Sequence, residues 1–315
     1  MTTKTNLAAS ISARLLNQTR KTGADYQTLL TSYCLERFLY RLSVSDRRDR
    51  FVLKGAMLLR LWSDQPYRAT RDLDLLRRGT GDFEAIRDDL EAIVATSVPD
   101  DAVIFDTQGI KIEAIRAEDE YAGARVTLPA SSGKARITVQ IDMGIGDAVW
   151  PPPQLRPYPT LLDLPAPEIF AYPKEAVIAE KFEAMVVLGD RNSRIKDFFD
   201  VHYLASHFEF DRATLREAIR RTFERRRTPI PQETPIALTP EYWQNPTRPA
   251  QMRAFAKRSA ITIPNDFNKA CTQMLQAFLT PLLQDLRDSE VGPGAWSAGG
   301  PWKYGGAANA NNPAT

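Results

Sequence analysis

The spacing of apolar residues changes along the chain, and this change predicts the order of the elements. Residues 5–20, 25–43 and 82–98 carry apolar side chains three and four positions apart, which is typical of amphipathic helices. Residues 51–76 are predicted to form a strand, a Gly-containing turn, a helix, a polar loop and a second strand. The spacing then falls to two, which predicts four strands at 102–107, 109–116, 121–129 and 135–143. A strand–helix–strand start followed by a run of strands indicates an α+β fold.

The second half of the chain is predicted to be helical. The segment 150–167 is rich in proline and cannot continue a sheet, so we place a domain boundary there. Beyond it, Pro173 and Gly189 mark the two ends of a helix over 174–188. Further helices are predicted at 194–204, 211–227, 249–259 and 265–288. We therefore predict N-terminal helices, a core with the sheet, a helical C-terminal domain and a Gly/Ala/Asn-rich tail, at 1–45, 46–165, 166–290 and 291–315.

Composition excludes several classes of function. Lysine and arginine number 41 against 39 aspartates and glutamates, so the net charge of +2 does not by itself indicate a nucleic-acid partner. The two cysteines, Cys34 and Cys271, lack metal-type spacing, and two histidines are too few for a multi-histidine metal site. We see no segment with the length and hydrophobicity of a signal peptide or a membrane span. We therefore expect a cytoplasmic protein that does not engage a membrane.

Two carboxylates define the first candidate site. Asp72 and Asp74 lie two residues apart on a predicted strand, so both point to the same face. Like charges this close need a counter-charge, such as Mg²⁺, which is commonly bound by one or two carboxylates together with substrate phosphate oxygens. The turn Lys54-Gly55-Ala56 can offer backbone N–H groups to such phosphates. The residues thus predict a metal and nucleotide site, without the glycine-rich fingerprints of dinucleotide-binding or P-loop proteins.

Two further charged residues each admit two interpretations. Asp142 ends an otherwise apolar strand, where it is either a cap or turn residue or a third carboxylate beside Asp72 and Asp74. Lys181 lies on the apolar stripe of its helix, where it either snorkels to solvent or reaches into a cleft to meet a phosphate. The residues alone leave both choices open.

A pair of aspartates and a run of arginines are ambiguous in the same way. Asp197 and Asp200 share a helix face that becomes apolar further along, so they are either held at an interface of the fold or paired with neighbouring cations. The arginines that close the helix over 211–227 form either a solvated face or a track for a phosphate backbone. They are Arg220, Arg221, Arg225, Arg226 and Arg227.

Four features follow one another in a fixed order. They are Lys54-Gly55 opening a helix, Asp72-x-Asp74 on the next strand, Ala179-Glu180-Lys181 within a helix, and Ser193-Arg194-x-Lys196-Asp197-x-x-Asp200. Over about residues 51–204 this set resembles the AbiEii/AbiGii-type toxin nucleotidyltransferases of the DNA polymerase β-like superfamily. The resemblance implies an α+β fold: a polymerase-β-like nucleotidyltransferase core with a mixed sheet, plus a helical C-terminal domain. The chain departs from the superfamily at Ala56, where a second Gly or a Ser is usual, so a hydroxyl that could contact phosphate is missing.

The resemblance also implies roles for individual residues. Residues at catalytic positions are Asp72, Asp74, Lys181 and Asp197, and those that would bind Mg²⁺ are Asp72, Asp74 and Asp142. Residues at nucleotide-binding positions are Lys54, Gly55, Ala56, Arg71, Lys181 and Arg194. Candidate RNA contacts are Arg68, Arg220, Arg221, Arg225 and Arg226.

The function implied by the resemblance is that of a toxin in a toxin–antitoxin pair. Such a protein would be a monomeric, Mg²⁺-dependent enzyme that transfers a nucleoside monophosphate from an NTP to RNA. The acceptor in some similar proteins is the 3′ end of tRNA, and the modification blocks aminoacylation and growth until an antitoxin neutralises the toxin. Two alternatives stay open: the same reaction on a protein or small-molecule hydroxyl, and a non-catalytic binding protein that kept the fold. The sequence is silent on which NTP is used and on the identity of the antitoxin.

Overall fold

The chain divides into two compact units. The computed structural model describes residues 2–63, 70–116, 122–288 and 292–304. The first unit comprises Met1–Asp147 with Pro153–Tyr172, and the second comprises Ala148–Pro152 with Pro173–Thr315. Among the helices of the described residues, none is long and apolar enough to cross a membrane. The finer division at residues 45, 165 and 290 stays a prediction.

The first unit is built on a mixed sheet. Its helices are α1 (Thr2–Thr22), α2 (Tyr26–Val44), α3 (Leu59–Trp62) and α4 (Phe83–Ala95). Its strands are β1 (Phe51–Lys54), β2 (Asp72–Arg77), β3 (Ile104–Phe105), β4 (Lys111–Arg116), β5 (Ala122–Ser132), β6 (Ala135–Ile145), β7 (Gln154–Pro157) and β8 (Glu168–Ala171). The strand order is β3-β5-β6-β2-β1-β8-β7, with β4 also paired to β5. Because β2 runs parallel to β6 and β1 parallel to β8 while the other pairs are antiparallel, the sheet is mixed and the predicted α+β class is confirmed.

Alternation along the strands separates an apolar face of this sheet from a polar one. In β2, Leu73 and Leu75 are fully buried, whereas Asp72 and Asp74 between them are partly exposed. Residues two apart share a face, so the leucines and the aspartates lie on opposite faces. Helix α2 contacts β6 and β8, and its Asp25 cap, whose carboxylate accepts from the backbone N–H of Thr28 at 2.9 Å, confirms the predicted start.

The segment after Lys54 is less helical than predicted. In place of one amphipathic helix, the chain forms a single 3-10 turn at Gly55–Leu58 and then the one-turn helix α3. Ser63 ends α3 in an extended conformation, and residues 64–69 lie outside the described residues. A helical segment this short has only a small dipole, so phosphate binding here would depend on local N–H groups and on Lys54.

The second unit is predominantly helical. Its helices are α5 (Lys174–Leu188), α6 (Ile195–His207), α7 (Arg212–Arg225), α8 (Arg248–Ser259) and α9 (Phe267–Arg287). Three short strands, β9 (Phe210–Asp211), β10 (Gly294–Trp296) and β11 (Trp302–Tyr304), form a small antiparallel sheet. The indole N–H groups of Trp296 and Trp302 donate to the carbonyls of Ala205 and Phe278 at 2.7 and 2.9 Å. The start of the predicted tail is therefore fixed against α6 and α9.

Candidate active site

Sheet register places four charged residues side by side across the polar face of the first unit. Lys54 of β1 pairs with Asp74 of β2, and Asp74 pairs with Asp142 of β6. Asp142 in turn pairs with Arg125 of β5. Residues that pair across strands point to the same face, so the order across the sheet is cation, carboxylate, carboxylate, cation. We call these four residues the charged row.

Asp72 lies on the same face, one step along β2 from the charged row. It pairs in register with Gln140 of β6, and its carboxylate accepts a hydrogen bond from the hydroxyl of Thr70. Asp72 and Asp74 are both partly exposed. The predicted aspartate pair is therefore open to solvent on the polar face and can meet a ligand.

Gly55 explains how the turn after β1 approaches this pair. Its φ is +71°, a conformation that glycine adopts without strain. A Cβ atom at this position would lie 1.9 Å from Oδ2 and 2.6 Å from Cβ of Asp74. Only glycine fits, because the Asp74 side chain rests against the bare backbone of residue 55. The neighbouring Ala56 is buried.

Lys54 is held in place at the end of the charged row. Its Nζ donates to Oδ2 of Asp147 at 3.0 Å and lies 5.1 Å from the centre of the Tyr172 ring. A Cβ atom at Gly144, two residues beyond Asp142, would lie 3.5 Å from this Nζ. The ammonium group of Lys54 thus lies next to the space that a side chain at residue 144 would occupy. The Lys54 side chain is only 16% exposed.

Asp142 does not cap a strand, as one interpretation of the sequence had it, but lies within β6. Its Oδ1 accepts from Nε of Arg125 at 2.8 Å, and its Oδ2 accepts from Nη2 at 2.7 Å. The amide of Gln140 lies 3.3 and 3.4 Å from the same two oxygens. Hydrogen bonding to Asp142 raises the pKa of Arg125, and the charges of Asp72 and Asp74 add to the shift. Arg125 is therefore electrostatically coupled to all three carboxylates.

The donor chemistry of the aspartate pair fits Mg²⁺. Carboxylate oxygens are the hard ligands that this cation prefers, and one or two of them suffice when substrate phosphates complete the coordination. Among the described residues, no group of three His, Cys, Asp or Glu side chains converges as a metal site. Both oxygens of Asp142, the third predicted ligand, are bonded to Arg125.

In the second unit, Lys181 does not snorkel to solvent, because its side chain is only 13% exposed and contacts two carboxylates. Its Nζ lies 2.6 Å from Oδ1 of Asp197 and 2.9 Å from Oδ2 of Asp200. Arg194 adds a third cation contact, with Nε 2.6 Å from Oδ2 of Asp197. Of the two interpretations left open for Asp197, the structure shows pairing with a neighbouring cation, which is Arg194. Lys181 is a partner that the sequence did not indicate.

This cluster fixes the charge state of Asp197. The residue is completely buried, and burial alone would raise its pKa. The charges of Lys181 and Arg194 outweigh that cost and bring the pKa below its usual value, so Asp197 stays ionised.

Several of the remaining predicted residues contact other side chains of their own unit. Arg71 donates to the hydroxyl of Thr28 at 2.9 Å, at the start of α2. Arg68 lies outside the described residues. Ion pairs with Glu217, Glu224 and Glu183 engage three of the arginines proposed to contact RNA, which are Arg220, Arg221 and Arg226.

Two residues of the polar face were missed in the sequence. Arg125 could have been found, because the two-residue turn at Gly133–Lys134 pairs Ser132 with Ala135 and counting back brings Arg125 opposite Asp142. Asp147 follows the end of β6 in a loop, and no pattern in the sequence indicates that it meets Lys54.

Comparisons with known proteins identify a family that matches most of the chain. A sequence profile of the family described as "Nucleotidyl transferase AbiEii toxin, Type IV TA system" matches residues 37–289, well over half of the chain. No curated protein matches the chain.

Two solved structures from Helicobacter pylori align with most of the chain. One, described as a candidate nucleotidyltransferase, is 15% identical with a TM-score of 0.48, covering 85% of this chain and 100% of its own. The other, JHP933, is 15% identical with a TM-score of 0.45, covering 84% of this chain and 94% of its own. Neither likeness is close enough to transfer a function.

Proposed function

The chain belongs to the AbiEii family of nucleotidyltransferase toxins, and we propose that it transfers a nucleoside monophosphate from an NTP to a hydroxyl group of RNA. The charged row is the observation that carries this proposal. It sets Asp74 beside Lys54, with Asp72 on the same face and the backbone of Gly55 against the Asp74 carboxylate. Carboxylates for a divalent cation and a fixed cation for phosphate are what transfer from a triphosphate requires.

The proposed reaction makes one bond at phosphorus and breaks another. The acceptor oxygen bonds to the α-phosphorus while the bond from that phosphorus to the bridging oxygen breaks, and pyrophosphate leaves. The hydroxyl proton passes to solvent or to a carboxylate of the Asp72–Asp74 pair. Bound Mg²⁺ would supply positive charge to the phosphate oxygens at this step. Lys54, held by Asp147, would add a second positive charge whose position is fixed in advance.

Lys181 and Asp197 are proposed to serve the same reaction, as their match to the family's motifs implies. Asp197 is kept ionised by its two cations, and Nζ of Lys181 contacts the carboxylates of Asp197 and Asp200 at 2.6 and 2.9 Å. A fixed negative charge on Asp197 suits a role in orienting a charged substrate.

The proposed acceptor is RNA, with the 3′ end of tRNA as the specific candidate. Blocking that end would stop aminoacylation and growth, which fits a toxin of a toxin–antitoxin pair whose antitoxin suppresses it. Half-exposed Arg220 and Arg221 on α7 are the candidate contacts to the RNA backbone, since arginine is a common donor to phosphate.

A direct labelling experiment tests this proposal. Purified protein is incubated with Mg²⁺, total RNA and each of the four α-labelled NTPs in turn, and the label is followed into RNA, protein and small molecules. We expect RNA to be labelled, and tRNA to be the labelled fraction. Label that enters only protein or a small molecule would overturn the RNA acceptor but retain the transferase.

A further inference from the structure

We infer that Arg125 binds the triphosphate of the NTP, and that Asp142 positions Arg125 and is not a metal ligand. The inference deepens the proposed function and rests on it. It rests first on the location of Arg125, which register places in the charged row, across β6 from Asp74. An arginine on this face is well placed to meet a triphosphate that approaches Asp72 and Asp74.

The geometry of the ion pair leaves Arg125 able to bind a second anion. Asp142 accepts from Nε and Nη2, which uses two of the five guanidinium N–H donors and leaves three, two of them on Nη1. The arginine side chain is 46% exposed, whereas that of Asp142 is 17% exposed. A guanidinium held along one edge and open along the other matches the planar, multidentate binding that arginine gives to phosphate.

The same contacts make Asp142 a poor metal ligand. Both of its oxygens accept a short, charge-assisted hydrogen bond from Arg125. The side-chain amide nitrogen of Gln140 also lies 3.3 and 3.4 Å from these two oxygens. Binding a cation would require Asp142 to give up that pair, and would leave the guanidinium without its carboxylate partner. On β6, Asp72 and Asp74 pair in register with Gln140 and Asp142.

A merely structural ion pair is the alternative. A half-exposed cross-strand pair contributes little to stability. The charges of Asp72 and Asp74 contribute to the raised pKa of Arg125. An ion pair far from these two aspartates would lack that contribution. The contribution means that the guanidinium also offsets part of the negative charge that an incoming triphosphate meets.

Nucleotide binding tests the inference without requiring turnover. The probes are the α,β-methylene analogues of the four NTPs, which cannot release pyrophosphate, and the matching nucleosides, all with Mg²⁺. We expect Arg125→Ala to raise the Kd of the preferred analogue about 10- to 100-fold, as expected for losing charge-assisted hydrogen bonds. The Kd of the nucleoside should not change. Arg125→Lys keeps the charge but loses the planar guanidinium fork, so its Kd for the analogue should lie between those of the wild type and Arg125→Ala.

The matched control is Arg136→Ala. Arg136 is also exposed and on the same face of β6, but lies six residues from Asp142, about 20 Å along the strand. The Arg136→Ala variant should bind the analogue with the same Kd as the wild type. Thermal unfolding of each variant confirms that the sheet is intact.

Asp142→Asn separates positioning from metal binding. If Asp142 positions Arg125, this variant raises the KM for NTP and leaves kcat near that of the wild type. A loss of kcat as large as that of Asp74→Asn would overturn the assignment of Asp142. Unchanged analogue binding in Arg125→Ala would overturn the role of Arg125 and leave the proposed function standing. A wild type that binds none of the analogues would overturn both.

Discussion

The Asp74 carboxylate rests against the backbone of Gly55, so close that a Cβ atom on residue 55 would lie 1.9 Å from Oδ2. We predict that Gly55→Ala displaces Asp74 and lowers the rate of nucleotidyl transfer by about 100-fold or more, since a shift of about 1 Å can cost that much. The measurement is the initial rate of α-label transfer to RNA.

Gly23→Ala is the control for this substitution. Gly23 has nearly the same φ, +73° against +71°, but a Cβ atom there would meet nothing within 4 Å. Both variants carry the cost of a left-handed alanine, about 1–2 kcal/mol. Equal losses of activity in the two variants would show that backbone strain, and not contact with Asp74, is responsible.

Lys181 is predicted to stabilise the second unit. The side chains of Asp197 and Asp200 are 0% and 4% exposed. Removing the charge of Lys181 would leave these two buried carboxylates without one of their cationic partners. We expect Lys181→Ala to lower the free energy of unfolding by about 3–5 kcal/mol. Lys196→Ala, which removes an exposed lysine of α6, should have a much smaller effect. Urea unfolding followed by tryptophan fluorescence reports this unit, which contains every tryptophan except Trp62.

The lowered pKa of Asp197 predicts how stability depends on pH. Because the folded pKa lies below the unfolded value of about 3.9, the stabilisation is complete above that value and is lost as pH falls through the folded pKa. Wild type should therefore be more stable than Asp197→Asn at neutral pH, and the gap should close below about pH 4. A gap that stays constant into strong acid would contradict the charged state of Asp197.

The arginines in and directly after α7 are predicted to divide into two kinds. Arg226 is mostly buried and lies 2.8 Å from Glu183, so Arg226→Ala should destabilise the unit. Arg220 and Arg221 are 43% exposed and share Glu217, whose pKa is lowered to about 2 by hydrogen bonds from them. Changing both to Ala should weaken RNA binding and reduce the salt slope by about 0.7 for each lost phosphate contact. An unchanged slope would show that they do not touch RNA.

Local signals in the sequence were sufficient to predict most helices and strands. Pro173 and Gly189 bound α5 as predicted, and Asp25 caps α2, because caps depend on a few neighbouring residues. The spacing of Asp72 and Asp74 was likewise enough to place both on one face. The segment after Lys54 was misjudged as a full helix, since its apolar spacing fits a 3-10 turn followed by a single helical turn equally well.

Contacts between distant elements were not predictable in the same way. The parallel register of β2 and β6 brings Asp74 beside Asp142, 68 positions later in the chain, and no tight turn fixes it. The meeting of Lys181 with Asp200 depends on how α5 and α6 pack, which helical spacing within each helix does not specify.

The most direct test of the central claim follows two phosphates of the NTP at once. Wild type and Asp74→Asn are compared with NTP labelled at the α- or the γ-phosphate, in the presence of Mg²⁺ and RNA. The wild type should carry the α-label into RNA and release the γ-label as pyrophosphate, and Asp74→Asn should do neither while retaining its fold. Transfer of the γ-label to the acceptor, or full activity in Asp74→Asn, would contradict nucleotidyl transfer at the Asp72–Asp74 pair.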